Sequence, residues 1–385
     1  MNQKIECSRL VKGLTGVNLR ILVIQAGFPW HKAPSLYQWL WVFILLPFLE
    51  EDSLNDLSEK HGLKLRKLYK ILIRHSDAFE KLLRMLTLPL FFELMDEFND
   101  SDDTGKSRRR IRIIFDDTNV EKFGKCMEFI HKLFDHAKDR YIMGYNYVLL
   151  LAVSDDMVFP MSFVLWLPKG HPDYRSKNDI ARDEILLLEK ECDKNGYCLE
   201  EVEILFDSAY CVQKVMKVAN DAGLRIVTKS GNTHKFEFEG ELLTPSEIIE
   251  KVKGRQWKYL EAAHCYQRLS AQHHVYGQMV LTVRRRELKN GKIIYDVLTC
   301  NKSFYNSVRI HKSYKKRWEI EMHFKYYKQY LSLGKTQFQK VGAIRSHLLC
   351  VAITALIVAL FRCQSVRKMS FRRAVRLISH KLCFL

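Results

Sequence analysis

The segment IRIIFDDT occupies residues 111–118, and its mostly apolar run ends at two adjacent acids, Asp116 and Asp117. A short run rich in Ile and Phe is typical of a buried β-strand. A second run of this kind, residues 202–206, ends at Asp207 in the sequence FDSAY. Functional groups in α/β sheets lie in the loops beyond strand ends, although Asp is also common there as a turn or helix cap. Asp116 and Asp207 are therefore candidate site residues.

The hydropathy pattern around these two runs alternates between strand-like and helix-like segments. Strand-like runs cover residues 111–115, 147–153 and 158–167, with a turn at 154–156, and two more cover 202–206 and 224–228. Helix-like segments cover 180–192 and 209–222. The order β-β-β-α-β-α-β predicts an α/β unit with a mixed sheet, whose first three strands are sequential and antiparallel.

The rest of the chain divides by the same criterion. Through residues 35–98 apolar residues recur every three or four positions, which predicts amphipathic helices. These helices either bind DNA or serve only to pack against the rest of the protein. A polar linker follows at 99–109. Strand-like runs return at 236–238, 274–284 and 292–299, and helical patterns at 314–331 and 341–361. We predict a helical region at 1–105, a core at 106–228, a β-rich insertion at 229–311, C-terminal helices at 312–362 and a basic tail at 363–385.

The charge balance favours a polyanionic partner. The chain has 62 Lys and Arg against 44 Asp and Glu, a net charge of +18. Nucleic acid is the first candidate and an anionic membrane surface is the rival. Basic segments at 108–110, 284–286 and 367–381 could each follow phosphates or form a solvated edge.

Apolar stretches and cysteines indicate a soluble protein of the cytoplasm. The two most apolar stretches, 39–48 and 348–361, are shorter than the roughly 20 residues that span a bilayer. The ten cysteines include no Cys-x-x-Cys pair, so we expect reduced thiols. A cluster of possible zinc ligands fits no common finger or ribbon spacing; it comprises His264, Cys265, His273 and His274.

The segment YKKRWEIEMHFKYYK, residues 314–328, carries the strongest signal. On one continuous helix Tyr314, Arg317, Glu321 and Lys328 would project within a sector of about 60°. A solvated charged stripe would produce the same spacing. An aromatic ring and two cations around one acid also suit a phosphate backbone held beside a metal-binding carboxylate.

The spacing Tyr-x2-Arg-x3-Glu-x6-Lys resembles the signature of DDE transposases of the insertion-sequence-four type, which belong to prokaryotic insertion sequences. The Asp-x-Thr of residues 116–118 and the Asp of FDSAY are similar to the other two acidic motifs of that family. The resemblance covers residues 110–360. It implies a ribonuclease H-like core with a β-rich insertion before the last catalytic helix.

By motif, the resemblance implies that Asp116, Asp207 and Glu321 bind two Mg2+ ions, which Mn2+ can replace, and catalyse cleavage and strand transfer. Tyr314, Arg317 and Lys328 would hold the transposon end. Alternation along a strand sends Asp116 and Asp117 to opposite faces, and the family pattern selects Asp116. The partners implied are transposon-end and target DNA, with at least a dimer in the complex.

Some alternatives stay open at this point. A ribonuclease H-like nuclease would use the same acids without strand transfer, and a non-catalytic descendant of a transposase would only bind DNA. Relatives can use a tryptophan of the insertion to stabilise DNA hairpins, but no local motif assigns that role to Trp257, the only tryptophan of the segment.

Overall fold

The computed structural model describes residues 19–28, 64–100 and 110–383, except 125, 137, 156, 232, 262–263, 274, 336–337 and 366–367. The predicted helices before residue 64 and the linker after residue 100 lie outside the described residues, as does Arg367. The chain forms two compact units. Unit 1 comprises Met1–Glu97, Asp117–Tyr174 and Glu321–Leu385, and unit 2 comprises Phe98–Asp116 and Arg175–Ile320.

The helices and strands of the described residues follow in chain order. Up to residue 174 they are α1 (Leu19–Gln25), α2 (Leu65–Arg74), α3 (Ser76–Asp100), β1 (Arg112–Glu121), β2 (His131–Asp135), β3 (Arg140–Val153) and β4 (Val158–Trp166). From there to residue 300 they are α4 (Lys177–Lys194), β5 (Glu203–Phe206), α5 (Gln213–Asp221), β6 (Arg225–Lys229), β7 (Phe236–Phe238), β8 (Glu241–Leu243), α6 (Pro245–Val252), β9 (Lys258–Glu261), β10 (His264–His273), β11 (Gly277–Glu287) and β12 (Ile293–Cys300). The C-terminal helices are α7 (Ser307–Lys315), α8 (Trp318–Tyr330), α9 (Val341–Cys363) and α10 (Phe371–Cys383).

Unit 1 packs helices against an antiparallel strand pair. β3 pairs with β4 through the turn predicted at residues 154–156, and the other end of β3 pairs with β2. The second half of β1 runs beside β3, where the Lys122 amide donates to the Met143 carbonyl. β2 was not foreseen, because its sequence HKLFD lacks a β-branched pattern and forms a strand only through pairing with β3.

The central helix of unit 1 is α9, which contacts β4, α2 and α10. Nearly every side chain from Val341 to Leu360 is buried, so the helix is apolar all round rather than amphipathic. By length and composition it is the one described helix that could cross a membrane, and 89% of its most apolar window is buried inside the structure.

Unit 2 contains a large mixed sheet, which agrees with the predicted α/β class. β5 pairs in the parallel direction with the first half of β1 on one side and with β6 on the other. β12 then pairs with β6 in the antiparallel direction. From β12 the sheet continues through β11, β10, β7 and β8, and β9 also pairs with β10. The predicted division into domains at residues 105, 228, 311 and 362 stays a prediction.

The two helices between the parallel strands begin by different means. Ser176 and Asp179 form a capping box at the start of α4, which satisfies orphan backbone amides. α5 begins at Gln213 instead of the predicted residue 209, because the Asp207 carboxylate accepts from the Ala209 amide and a turn follows. This side-chain competition for the backbone is common for Asp after a strand.

Candidate active site

The first two acids of the motif lie at equivalent distances from the paired segment of two neighbouring parallel strands of unit 2, β1 and β5. The register pairs Arg112 with Glu203 and Ile114 with Leu205. Asp116 and Asp207 each follow the last of these pairs by two residues. Carboxyl ends of neighbouring parallel strands meet at one edge of a sheet, which is where α/β proteins place ligands.

Asp116 lies inside β1 and not beyond its end, which corrects the expectation from the sequence. β1 continues to Glu121 after its pairing with β5 has ended. The two adjacent acids then take different partners, in keeping with alternation along a strand. Asp116 Oδ2 accepts from Arg317 Nη1 at 2.6 Å within unit 2, and Asp117 Oδ2 accepts from Asn146 Nδ2 at 2.6 Å within unit 1.

The four-residue signature does not lie on one continuous helix, so this part of the sequence prediction is wrong. Tyr314 lies in the last turn of α7, Arg317 lies in the turn after that helix, and Glu321 and Lys328 belong to α8. In the turn, backbone amides bind carbonyls three residues back, as in a 3₁₀ turn. The interruption contains neither Pro nor Gly, so no local helix-breaking signal marks it.

Two cations lie beside the Tyr314 ring in unit 2. The guanidinium of Arg317 is 6.0 Å from the ring centroid and that of Arg284 is 5.7 Å away. Burial raises the pKa of Tyr314 to about 12, with a smaller contribution from the nearby charge of Asp207. Tyr314 is therefore a neutral phenol at physiological pH, able to donate a hydrogen bond.

The Arg284 side chain is already engaged in a charge network. It forms two hydrogen bonds with Asp296, at 2.7 and 2.6 Å, and its Nη1 is 3.1 Å from His311 Nδ1. His311 Nε2 in turn lies 3.0 Å from Glu261 Oε1. The segment 284–286 therefore includes at least one arginine that stabilises the protein itself.

In unit 1, the Lys of the signature contacts the Thr of the first acidic motif. Lys328 Nζ donates to Thr118 Oγ1 at 2.7 Å and to the Asn119 carbonyl at 2.8 Å. Burial lowers the pKa of Lys328. Glu321 precedes Lys328 by seven residues on α8, which places both within about 20° on the same helix face. Glu321 thus lies on the face of α8 that is directed toward β1 at Thr118.

Asn146 is a polar residue beside the first acidic motif that sequence reasoning missed. Its side chain is fully buried in unit 1, and Nδ2 donates to both Asp117 and Asn119 at 2.6 and 2.7 Å. A buried amide in an otherwise apolar strand is costly unless it is hydrogen-bonded. The polar residue within GYNYVLLLAV was therefore a usable signal.

The chemistry of the three acids suits a hard divalent cation, since Mg2+ prefers carboxylate oxygens. Asp116 and Asp207 each lie two residues beyond the last pair of the β1–β5 register, Asp116 still within β1 and Asp207 just after β5. Among the described residues, however, no group of three or more His, Cys, Asp or Glu side chains is arranged to hold a metal ion. In the structure Arg317 supplies the positive charge beside Asp116.

The other residues noted in the sequence have structural partners. His264 lies 3.9 Å from Glu261, and the His273 ring stacks on Tyr276, while His274 lies outside the described residues. Trp257 Nε1 donates to the Lys253 carbonyl. Residues 108 and 109 lie outside the part of the chain that the structure describes.

Comparison with known proteins gives one family match. Residues 107–357 match the model described as the transposase DDE domain. A search of curated proteins gives no match. Among solved structures, the chain matches the crystal structure of the NurA nuclease from Sulfolobus solfataricus at 12% sequence identity. The match covers 83% of this chain and 98% of that chain. Its TM-score of 0.27 supports no conclusion.

The family match confirms the coarse prediction of a DDE transposase, whose substrate is DNA and whose class uses divalent metal ions. The insertion-sequence-four subtype and the prokaryotic origin stay predictions. The matched segment exceeds half of the 385 residues and contains Asp116, Asp207 and Glu321. This chain belongs to the transposase DDE domain family.

Proposed function

We propose that this protein is a transposase that cleaves DNA at the terminal inverted repeats of an insertion sequence and joins the freed ends to target DNA. The observation that carries the proposal is the position of Asp116 and Asp207, each two residues beyond the last pair of the parallel register between β1 and β5. Lys328, bound to Thr118, orients α8 so that Glu321 is on the helix face directed toward β1. We place the protein in the cytoplasm, bound to DNA as at least a dimer because two ends must be paired.

The proposed catalytic core is ribonuclease H-like. Its support in unit 2 is the parallel set β1, β5 and β6 with helices α4 and α5 between the strands. Its support in unit 1 is the antiparallel pair of β3 and β4 that follows β1. The strands from β7 to β12 precede the helix that carries Glu321, as the insertion of the family would.

Asp116, Asp207 and Glu321 would hold two Mg2+ ions, which supply positive charge and a deprotonated nucleophile at the scissile phosphate. In the first step water attacks phosphorus, the bond between phosphorus and O3′ breaks, and a 3′-hydroxyl is released. In the second step that hydroxyl attacks a target phosphodiester, and the target strand leaves with its own 3′-hydroxyl. One bond between phosphorus and oxygen forms for each that breaks, so joining needs no external energy source.

The signature side chains have separate parts in holding DNA. Arg317 is planar and cationic, and its contact with Asp116 places it beside the acid edge where a phosphate would bind. Tyr314, held neutral, would donate a hydrogen bond to the strand or stack on a base. Lys328 would act on phosphate and at the same time fix Thr118.

The decisive experiment compares Glu321→Gln with Glu319→Gln in full-length protein. The substrate is a labelled duplex that carries the genomic DNA flanking the coding sequence, incubated with Mg2+ and with a target plasmid. We expect wild type and Glu319→Gln to nick the duplex and join it to the plasmid. Glu321→Gln should bind the duplex, as measured by gel shift, but should not nick it.

Each other outcome has a definite meaning. Full nicking by Glu321→Gln would refute the assignment of the acid. Nicking without joined product in the wild type would identify a nuclease of the same fold. Binding without any Mg2+-dependent nicking in the wild type would identify a non-catalytic descendant.

A further inference from the structure

The C-terminal part of the chain is cationic to an unusual degree. Glu321 is the last acidic residue, so residues 322–385 contain no Asp or Glu at all. Within this stretch α10 exposes Arg372, Arg373 and Arg376. None of these three guanidinium groups forms an ion pair or hydrogen bond with any residue that the structure describes. A helix face with unneutralised arginines is suited to a polyanion.

The apolar side of α10 is not available for a partner. Phe371, Ala374, Val375 and Ile378 are all buried within unit 1. Leu377 is the only large apolar side chain that the described part of α10 exposes. An amphipathic helix binds a bilayer by inserting its apolar face, which this helix has already buried. The exposed face therefore fits the phosphates of nucleic acid better than a lipid surface.

α10 is anchored to the helix that carries Glu321. The Phe371 ring stacks on Tyr326 of α8, with centroids 4.8 Å apart and planes at 10°, and it makes an edge contact with His323. Tyr326 and His323 point roughly 140° and 200° around α8 from Glu321. Within unit 1, α10 therefore packs on the side of α8 opposite Glu321.

We propose that α10 is a second DNA-binding surface, which holds the phosphate backbone of duplex DNA without reading its sequence. The inference rests on the proposed function, because it needs DNA as the partner. Arg372, Arg373 and Arg376 carry the contact, and Phe371 positions the helix. Phosphate contacts from exposed arginines give affinity and register but no base specificity.

The test is the triple variant R372Q/R373Q/R376Q in the full chain. Its matched control is K190Q/K194Q/K217Q, which removes the same charge from exposed lysines of α4 and α5. Binding to a labelled duplex of unrelated sequence is measured by fluorescence anisotropy over a range of salt concentrations. We expect the arginine variant to bind at least about tenfold more weakly, with the slope of log Kd against log salt reduced by about 0.9 per lost contact.

Further measurements separate this surface from the catalytic site. Unchanged melting temperatures would show that both variants are folded. Nicking at saturating DNA should equal that of wild type, since the arginines lie away from Glu321. If wild type binds DNA and the arginine variant has the same DNA affinity and salt slope, this inference is wrong. The proposed function would not be affected by that result.

Absence of DNA binding by the wild type would overturn the proposed function together with it. Vesicles containing anionic phospholipid serve as the competing probe. The inference is wrong if the arginine variant loses binding to the vesicles but binds the duplex as tightly as wild type does. That result would show that the surface recognises lipid.

Discussion

Arg317 Nη1 lies 2.6 Å from Asp116 Oδ2, although the two residues are 201 positions apart in the chain. Both side chains are mostly buried, with exposed fractions of 17% and 16%. Asp207 comes just after the neighbouring strand β5 and, like Asp116, lies two residues beyond the last register pair, so both acids are at this edge of the sheet. A cation from the signature motif thereby offsets the negative charge of the first acid.

Arg317→Gln should lower the free energy of unfolding by about 1–3 kcal/mol, because a partly buried carboxylate loses its charged partner. Added Mg2+ should raise the melting temperature of the variant more than that of wild type, since a ligand that binds only the folded state stabilises it. Thermal unfolding with and without Mg2+ measures both effects. Arg345→Gln, which removes an exposed ion pair with Asp173, is the control and should change stability by less than about 1 kcal/mol. Equal Mg2+ shifts in wild type and Arg317→Gln would contradict the prediction.

Lys328→Met should destabilise the protein as well as weaken DNA binding. The ammonium group donates to Thr118 and to the Asn119 carbonyl, and loss of these bonds should cost about 1–3 kcal/mol. Lys325→Met, an exposed cation of the same helix, should leave the urea midpoint nearly unchanged. If Lys328 acted only on phosphate, Lys328→Met would also leave the urea midpoint unchanged. That result would contradict the prediction.

Lys122 should make stability depend on pH in the alkaline range. Its side chain is buried, Nζ donates to the Gly334 carbonyl, and burial lowers the pKa from 10.5 to about 8. Between these values the unfolded chain binds a proton that the folded protein has released, so stability rises with pH, by roughly 3 kcal/mol in all. Below about pH 8, where Lys122 is charged in the folded and the unfolded protein, its burial destabilises the folded protein by this full amount.

Lys122→Met should abolish this rise, and urea unfolding of both proteins between pH 7 and 10.5 measures it. The stability of wild type relative to the variant should be constant below about pH 8 and should increase between about pH 8 and 10.5. A constant difference between the two proteins would show that the lysine has the same pKa in the folded and unfolded states.

Gly144→Ala should be strongly destabilising because two strands approach closely at this residue. A Cβ at position 144 would overlap the backbone carbonyl of Val120, and the backbone cannot move aside without disturbing β1. Overpacking of this kind costs about 1–3 kcal/mol or more. Gly254→Ala, where a Cβ meets nothing within 4 Å, should change stability by no more than about 0.5 kcal/mol. Chemical denaturation compares the two, and equal midpoints would contradict the prediction.

Several elements agree closely with the sequence pattern. The runs at 158–167 and 202–206 became β4 and β5, and the apolar pattern at 341–361 became α9. β10 was missed because its buried positions include Gln267 and His273, whose polarity hides the alternation. The Gln267 amide is satisfied by the Val252 carbonyl, a partner supplied by another element.

The amino-acid sequence by itself determined the local elements and the motif spacing that led to the DDE family. Local elements follow from the spacing of apolar side chains, which is a property of neighbouring residues. Only the tertiary structure decided that Arg317 binds Asp116, that the helix breaks before Trp318, and that α10 rests on α8. These features depend on contacts between segments distant in the chain, and the free energy of such contacts overrides the local preference of each segment.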